Sequence, residues 1–238
     1  MDWIEDAKRR AAVEAVKKEV RDGFVIGIGS GSTVKYAIEE IGRRIREEAL
    51  NVLGVPTSYQ SLLLAVRHGV PLTTLHEHPT LDLTIDGADQ IDRNLNLIKG
   101  LGGALTREKI VAMSSKKLII VADERKLANY LGEKQQVLPV EVLPFAKPLV
   151  TARIRKIGGK PFLREIKNGV PYITDNGNFI IDVDFGIIKD PRKLNFELKM
   201  IPGVVETGLF VEIARSAYIG TKTSVKKISR LIKRTKIF

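Results

Sequence analysis

The chain has 238 residues, 44% of them apolar and 28% charged, and 39 Lys and Arg against 28 Asp and Glu give a formal charge of +11. That is enough to bury a core as one large domain or as one with a smaller companion, and the lack of cysteine excludes disulfides, thiolate metal sites and cysteine nucleophiles. No apolar run approaches the about 20 residues of a membrane span, and the first twenty residues are charged throughout, so a soluble, cytoplasmic protein is expected.

Residues 3 to 20 set Ile4, Ala7, Ala11, Ala15, Val16 and Val20 along one side of a helix, which Asp22-Gly23 ends. The apolar run 24 to 28 enters Gly29-Ser30-Gly31-Ser32-Thr33, and helical spacing resumes from Val34 to about Glu48. A strand, a glycine turn and a helix aim backbone N–H groups and the positive end of a helix dipole at one point, and Ser30, Ser32 and Thr33 add hydroxyls. The guest such a turn fits is a phosphate. A Walker loop would need a lysine before Ser32-Thr33, and none is there. A dinucleotide fingerprint needs its third glycine three residues after the second and an acid at the end of the next strand. Here the third follows by two, and the strand at 52 to 55 runs into Pro56-Thr57-Ser58. A monophosphate ester is therefore expected rather than NAD.

A helix through Leu62 and Val66 ends at Gly69, and 70 to 75 and 81 to 85 read as strands. The second runs into Asp86-Gly87-Ala88-Asp89-Gln90-Ile91-Asp92. A brief apolar piece at 95 to 98 precedes Lys99-Gly100-Leu101-Gly102-Gly103, then a helix over 104 to 113 and a buried strand over 117 to 122 ending at Asp123, with Lys126 just beyond. Alternating strands and helices imply a parallel sheet. After Gly132 the texture changes to short β-like pieces (137 to 143, 151 to 157), the turn signals Gly158-Gly159, Asn168-Gly169 and Asn176-Gly177, a strand over 178 to 184 and a helix over 191 to 200. Strand signals return at 209 to 211 and 216 to 219. The expected organisation is α/β, with a large parallel-sheet domain from residues 1–133 and 207–238 and a small α+β domain, 134–206, inserted. Residues 221 to 238 hold Lys222, Lys226, Lys227, Arg230, Lys233, Arg234 and Lys236 without an acid, and fit a basic amphipathic helix or solvated tail rather than a nucleic-acid or membrane contact. Abundant Lys, Arg and Glu also suit a heat-adapted protein.

Ligands of an open parallel sheet sit beyond the carboxyl ends of its strands. Ser30 to Thr33, Thr57-Ser58, Asp86, Asp89, Asp92, Asp123 and Lys126 all fall there, with Lys99 and Glu108 near the second glycine-rich segment. A phosphate cradle, carboxylates and lysines on one rim describe a site for a phosphorylated polar metabolite. The motifs Gly29-Ser30-Gly31-Ser32-Thr33, Asp86-Gly87-Ala88-Asp89, Gly102-Gly103-Ala104-Leu105-Thr106-Arg107-Glu108-Lys109, Thr174-Asp175-Asn176-Gly177-Asn178 and Pro202-Gly203-Val204-Val205-Glu206 resemble those of ribose-5-phosphate isomerase type A, in that family's order and over nearly the whole chain to about Gly220.

The resemblance implies a Rossmann-like large domain carrying the site, a small domain used partly for subunit contacts in a homo-oligomer (dimer or tetramer), and no metal or cofactor. It implies an aldose-ketose isomerase acting on ribose 5-phosphate and ribulose 5-phosphate. By position, Ser30, Gly31, Ser32 and Thr33 form the loop beside the substrate, Lys8 and Lys126 assist at its anionic end, and Gly102 and Gly103 line it. Asp86, Asp89 and Lys99 serve ring opening and the reacting oxygens, and Glu108 is the base moving a proton between C1 and C2. Removing a proton beside a carbonyl builds charge on an enediolate oxygen, which calls for a carboxylate base beside cationic or N–H donors. Gln90 stands where the family usually has glutamate, Leu101 where it usually has glycine, and the basic tail is longer. A sugar-responsive transcription regulator would need a DNA-reading module, and only one helix fits before the first strand. An amino-sugar deaminase would call for a catalytic histidine, and His68, His76 and His78 lie away from the motifs.

Overall fold

The computed structural model describes residues 3–167 and 169–230. α1 (Trp3–Glu19) is rich in alanine, and its Ala7, Ala11, Ala12, Ala15 and Val16 are buried. β1 (Phe24–Ile28), α2 (Val34–Glu48), β2 (Val52–Pro56), α3 (Tyr59–Arg67) and β3 (Leu83–Asp86) then alternate. α2 stops where Ala49 turns left-handed. α3 starts at Ser58, whose hydroxyl accepts from the Ser61 N–H at 3.1 Å while the Ser61 hydroxyl accepts from the Ser58 N–H at 3.1 Å, a reciprocal cap. β4 (Gln90–Ile91), β5 (Leu97–Ile98), α4 (Leu105–Met113) and β6 (Leu118–Asp123) follow. Next come β7 (Leu138–Val142), α5 (Lys147–Lys156), β8 (Lys160–Leu163), β9 (Glu165–Lys167), β10 (Val170–Pro171), β11 (Phe179–Asp184) and α6 (Pro191–Lys199). β12 (Val204–Thr207), β13 (Leu209–Phe210), β14 (Ala214–Gly220) and β15 (Val225–Ser229) complete the described chain.

The fold is α/β. Its main sheet runs β15-β14-β6-β3-β1-β2, with every neighbouring pair parallel except β14 and β15. β3 and β6 are buried along their whole length, as strands covered on both faces must be. Along β6, Ile119 and Val121 join the core under α1 and α2, while Leu118, Ile120 and Ala122 join a second core with Ala112, Phe210 and Ile219. An antiparallel sheet, β12-β7-β11-β8, packs with α5 and α6 around Val140, Val150, Ile154, Ile181 and Leu198. A three-stranded sheet, β13-β5-β4, carries Leu97 and Ile98.

Four expectations are corrected. Residues 70–75 form one bridge, Leu72 with Gly54, rather than a strand. Pro71 there has no N–H to give a ladder. Residues 151–156 belong to α5, with Ile157 as its C-cap, because Pro148 sits in its first turn, where a missing N–H costs nothing, and Val150 and Ile154 enter the core one helical turn apart. Leu209 and Phe210 pair with β5 instead of joining the main sheet. Of the basic stretch, 225–229 is the antiparallel edge strand β15, not a helix, and 231–238 lies outside the described residues. Among the described residues no helix is long and apolar enough to cross a membrane.

Candidate active site

β1 delivers the chain to its glycine turn under tight constraint. A Cβ on Gly29 would lie 2.1 Å from Asp86 Oδ1 and 2.7 Å from Asp86 Cα, so only glycine fits there. The contact is used: Asp86 Oδ1 accepts from the Ser30 N–H at 3.2 Å and from the Gly87 N–H at 2.7 Å. Ser30 Oγ bonds Thr57 Oγ1 at 2.9 Å and Ser58 Oγ at 2.6 Å, tying the ends of β1 and β2 together. Lys8 reaches over from α1 and donates to Ser32 Oγ at 3.1 Å while paired with Glu5 at 2.7 Å. α2 begins at Thr33 without a side-chain cap. The Lys35 and Tyr36 N–H groups bond back to the Gly31 and Thr33 carbonyls, both at 3.2 Å, and the positive end of the helix dipole faces the turn, where it favours an anion.

The carboxyl ends of β3, β5 and the start of α4 meet at Lys99. Its ammonium donates to the Gly87 carbonyl at 2.8 Å and lies 3.1 Å from both Asp86 Oδ2 and Glu108 Oε2. Apart from that ion pair neither oxygen has a partner among the described residues, so both are buried acceptors with lone pairs to spare. Lys99 is 3% exposed, Glu108 4% and Asp86 0%, so these charges are out of water. Lys99 Nζ and Lys109 Nζ also lie 5.4 and 4.9 Å from the centroid of the buried Phe210 ring. Asp89, half-buried, accepts from the Leu101 N–H at 2.9 Å.

Two carboxylates facing one ammonium leave a negative charge uncompensated, and burial makes it costly. Desolvation and then the charge of Asp86 push Glu108 up to about 8 against the pull of Lys99. Desolvation also raises Asp86, which titrates with Glu108 as a pair. Burial depresses Lys99, but Asp86, Glu108 and Asp89 outweigh it and hold the lysine above its usual range. The group is therefore a permanent cation beside a carboxyl that ionises near neutrality. That is an acid–base pair suited to moving a proton to and from carbon.

One cavity is lined by Ser30, Gly31, Ser32 and Thr33, by Lys126 after β6, and by Asp89, Lys99, Gly102 and Glu108. Asp86 lies beneath it, in contact through Lys99. Gly103 lines an adjoining cavity with Ser30, Gly102, Tyr172 and Asp175, and a Cβ on Gly103 would lie 2.3 Å from the Tyr172 hydroxyl. Lys8 joins through Ser32. Asp92 and Asp123 stand apart. Asp92 accepts from the Asn94 and Asn96 N–H groups of its own turn, both at 2.8 Å, and Asp123 accepts from Arg125. Among the described residues no group of three or more acids or histidines is placed to hold a metal ion.

Sequence reasoning missed Gln60, which lines both cavities from the first turn of α3. Its place two residues after the cap Ser58 is the one signal available. It also gave Tyr172 and Asp175 no role. The two departures from the family pattern are explained locally. Gln90 donates to the Glu133 carbonyl at 2.8 Å and accepts from the Gly132 N–H at 2.7 Å, a two-way link that an ionised glutamate cannot make. Leu101 has no positive φ, unlike Gly100 and Gly103 on either side of it, so a side chain is tolerated.

Known proteins resemble this chain over most of its length. The family model for ribose 5-phosphate isomerase A (phosphoriboisomerase A) matches residues 53–224. A ribose-5-phosphate isomerase A of Methanosarcina acetivorans is 54% identical over 222 residues, 93% of each chain. The solved ribose 5-phosphate isomerase A of Methanocaldococcus jannaschii superposes with a TM-score of 0.90 at 45% identity, over 94% of this chain and 99% of that one. A D-ribose-5-phosphate isomerase in complex with phospho-erythronic acid superposes with a TM-score of 0.92 at 44% identity, over 95% and 99% of the two chains.

Proposed function

The chain belongs to the ribose 5-phosphate isomerase A family and interconverts ribose 5-phosphate and ribulose 5-phosphate, and we propose that it does so through an enediolate with Glu108 as the base. The observation that carries this reading is the buried contact of Glu108 with Lys99, 3.1 Å, at the wall of the cavity that the glycine turn also lines. In the open-chain aldose, Glu108 takes the proton from C2, the C1=C2 double bond forms, and the carbonyl electrons move onto O1. Lys99, held by Asp86, balances that charge. Asp89, in the same cavity, assists ring opening and the transfer of the hydroxyl proton from O2 to O1. Glu108 then returns its proton to C1, leaving a ketone at C2. The test is incubation with ribose 5-phosphate in deuterated water: deuterium must enter the substrate at C2 and the product at C1. A product free of deuterium, together with unchanged turnover in Glu108→Gln, would point to hydride transfer and sink the enediolate.

The base must be ionised to act, so kcat/KM should rise with pH and level off above about 8, the value to which burial and Asp86 push Glu108. A single group at that value predicts roughly a tenfold rise between pH 6 and 7. The phosphate ester, whose second ionisation is near pH 6, steepens the acid limb further. A profile flat from pH 6 to 9 would exclude Glu108 as the titrating base.

The glycine turn, the uncapped start of α2, Lys8 and Lys126 are assigned to the phosphoryl group. Lys126→Ala and Ser32→Ala should each raise KM by about tenfold with kcat changed much less, since the lost contact is the same in ground and transition states. Free ribose binding the parent protein as tightly as its phosphate ester would overturn the assignment. Phospho-erythronic acid, held by one solved relative, joins a phosphoryl group to a carboxylate that resembles an enediolate, and is the inhibitor of choice for locating both ends of the site. Exposed Phe145, Phe196 and Met200, and Tyr59, Leu63 and Met113 on α3 and α4, support a homo-oligomer. A cytoplasmic setting suits a substrate whose charge bars it from crossing membranes.

A further inference from the structure

Glu141 is the penultimate residue of β7, wholly buried, and among the described residues no lysine or arginine is within ion-pair reach of it. A carboxylate so placed persists only if donors saturate it. Oε1 accepts from Thr174 Oγ1 at 2.9 Å, Asn176 Nδ2 at 3.0 Å and Asn178 Nδ2 at 2.8 Å, and Oε2 accepts from Thr106 Oγ1 at 2.5 Å. Three donors come from one loop. The fourth comes from the first turn of α4, two residues before Glu108. The same loop braces the site elsewhere: Asp175 Oδ2 accepts from the Tyr59 N–H at 2.9 Å, and Arg107 donates to Asn176 Oδ1 at 2.7 Å. One turn further along α4, Lys109 donates to Glu206 at 2.8 Å and to the Thr207 carbonyl at 2.7 Å on β12, the strand beside β7. Thr106 and Lys109 thus fasten one side of α4 to the antiparallel sheet, while Glu108 is turned toward Lys99 and Asp86 at the main sheet.

We propose that Glu141 is a positioning residue for the isomerisation: by gripping Thr106 and the 174–178 loop together, it fixes the rotation of α4 and so holds the Glu108 carboxylate at bonding distance from the reacting carbons. The inference rests on Glu108 being the base. A misplacement of about 1 Å costs up to roughly 10²-fold in rate, whereas substrate binding depends on groups that do not move.

Thr106→Val removes the α4 donor and keeps the shape. It should lower kcat by about tenfold or more with KM within about threefold of the parent, and Thr106→Ser, which restores the hydroxyl, should return kcat to within about threefold. Glu141→Gln keeps all four contacts but replaces the short O–H···O bond with an N–H···O bond of about 2.9 Å. It should fold and show an intermediate loss of kcat, so the proposal remains testable if Thr106→Val does not fold. Parental kcat, within twofold, in every folded variant, with only the melting temperature lowered, would reduce Glu141 to a structural stitch. Glu108→Gln in the same assays separates the two ideas. If it turns over normally the base assignment itself fails, whereas an inactive Glu108→Gln beside a normal Thr106→Val refutes positioning alone.

Discussion

Glu108→Gln should lower kcat by about 10²-fold or more while KM for ribose 5-phosphate stays within a few fold. The glutamine fills the same space between Lys99 and the cavity but has no lone-pair base for the C2 proton, so deuterium exchange at C2 should be lost with turnover. Stability gives an independent check with a defined sign. Glu108 is held at about 8 in the folded chain against an ordinary value of 4.5, so the folded state binds its proton more tightly than the unfolded state. That contribution to stability is complete below about pH 4.5 and is lost as pH rises through 8. Glutamine never ionises, so at pH 9 the variant should melt no lower than the parent. If Glu108 serves only to favour the dipole at the start of α4, turnover should survive and the melting temperature should fall only where the carboxyl is ionised.

Lys99→Met should be the more damaging change, because it removes both the cation at the reacting oxygens and, among the described residues, the sole ammonium in contact with Asp86 and Glu108. Breaking a buried ion pair from one side typically costs about 3–5 kcal/mol, since the remaining charge is left without a partner. Loss of a preorganised donor at a developing oxyanion costs a further 10²–10³ in rate, to order of magnitude. The thermal destabilisation should ease at low pH, where Asp86 and Glu108 can both be protonated, and deepen above pH 8. Equal loss of stability at pH 5 and pH 9 would mean that Lys99 acts through packing against Phe210 instead of through its charge.

The site was more legible in the sequence than the elements around it. The glycine turn could be tested residue by residue against two known phosphate loops because its spacing is fixed by a close approach, Gly29 against Asp86, that tolerates no Cβ. Asp86 ends β3 and Asp89 lies just past it, a strand that its composition made visible, and Lys99 follows what read as a brief apolar piece. Their roles, and the place of Lys8, came from the family resemblance. Spacing alone cannot show that a lysine in α1 reaches Ser32. Gln60 carried only a weak signal, its place two residues after the cap Ser58, and lines the cavity from the first turn of α3. Residues 151–157 misled because Thr151, Ile154 and Ile157 carry β-branched side chains, whose strand preference yielded to packing of Val150 and Ile154 on the antiparallel sheet. In 225–229, Val225 and Ile228 are three apart and read as a helix face. Pairing with β14 decides the matter, and no local signal encodes it.

The position of β14 has a bearing on how the chain is born. This strand pairs in parallel with β6, Ala214 opposite Leu118, and its Tyr218 hydroxyl donates to Glu19 at 2.7 Å across 199 residues. A Cβ on Gly220 would strike the Ala7 carbonyl oxygen at 2.0 Å, so α1 is seated directly on β14. α1 carries Lys8, yet β14, one of the surfaces on which it rests, is made some 199 residues after it. At about 5–20 residues per second, the wait between the two is on the order of ten seconds or more. During that interval the antiparallel sheet can close on local contacts and α1 can pack on α2 and β6, while the edge of β6 and the part of α1 that meets β14 stay open. The chain is therefore most exposed to mispairing during its own synthesis, and the phosphate end of its site is completed last.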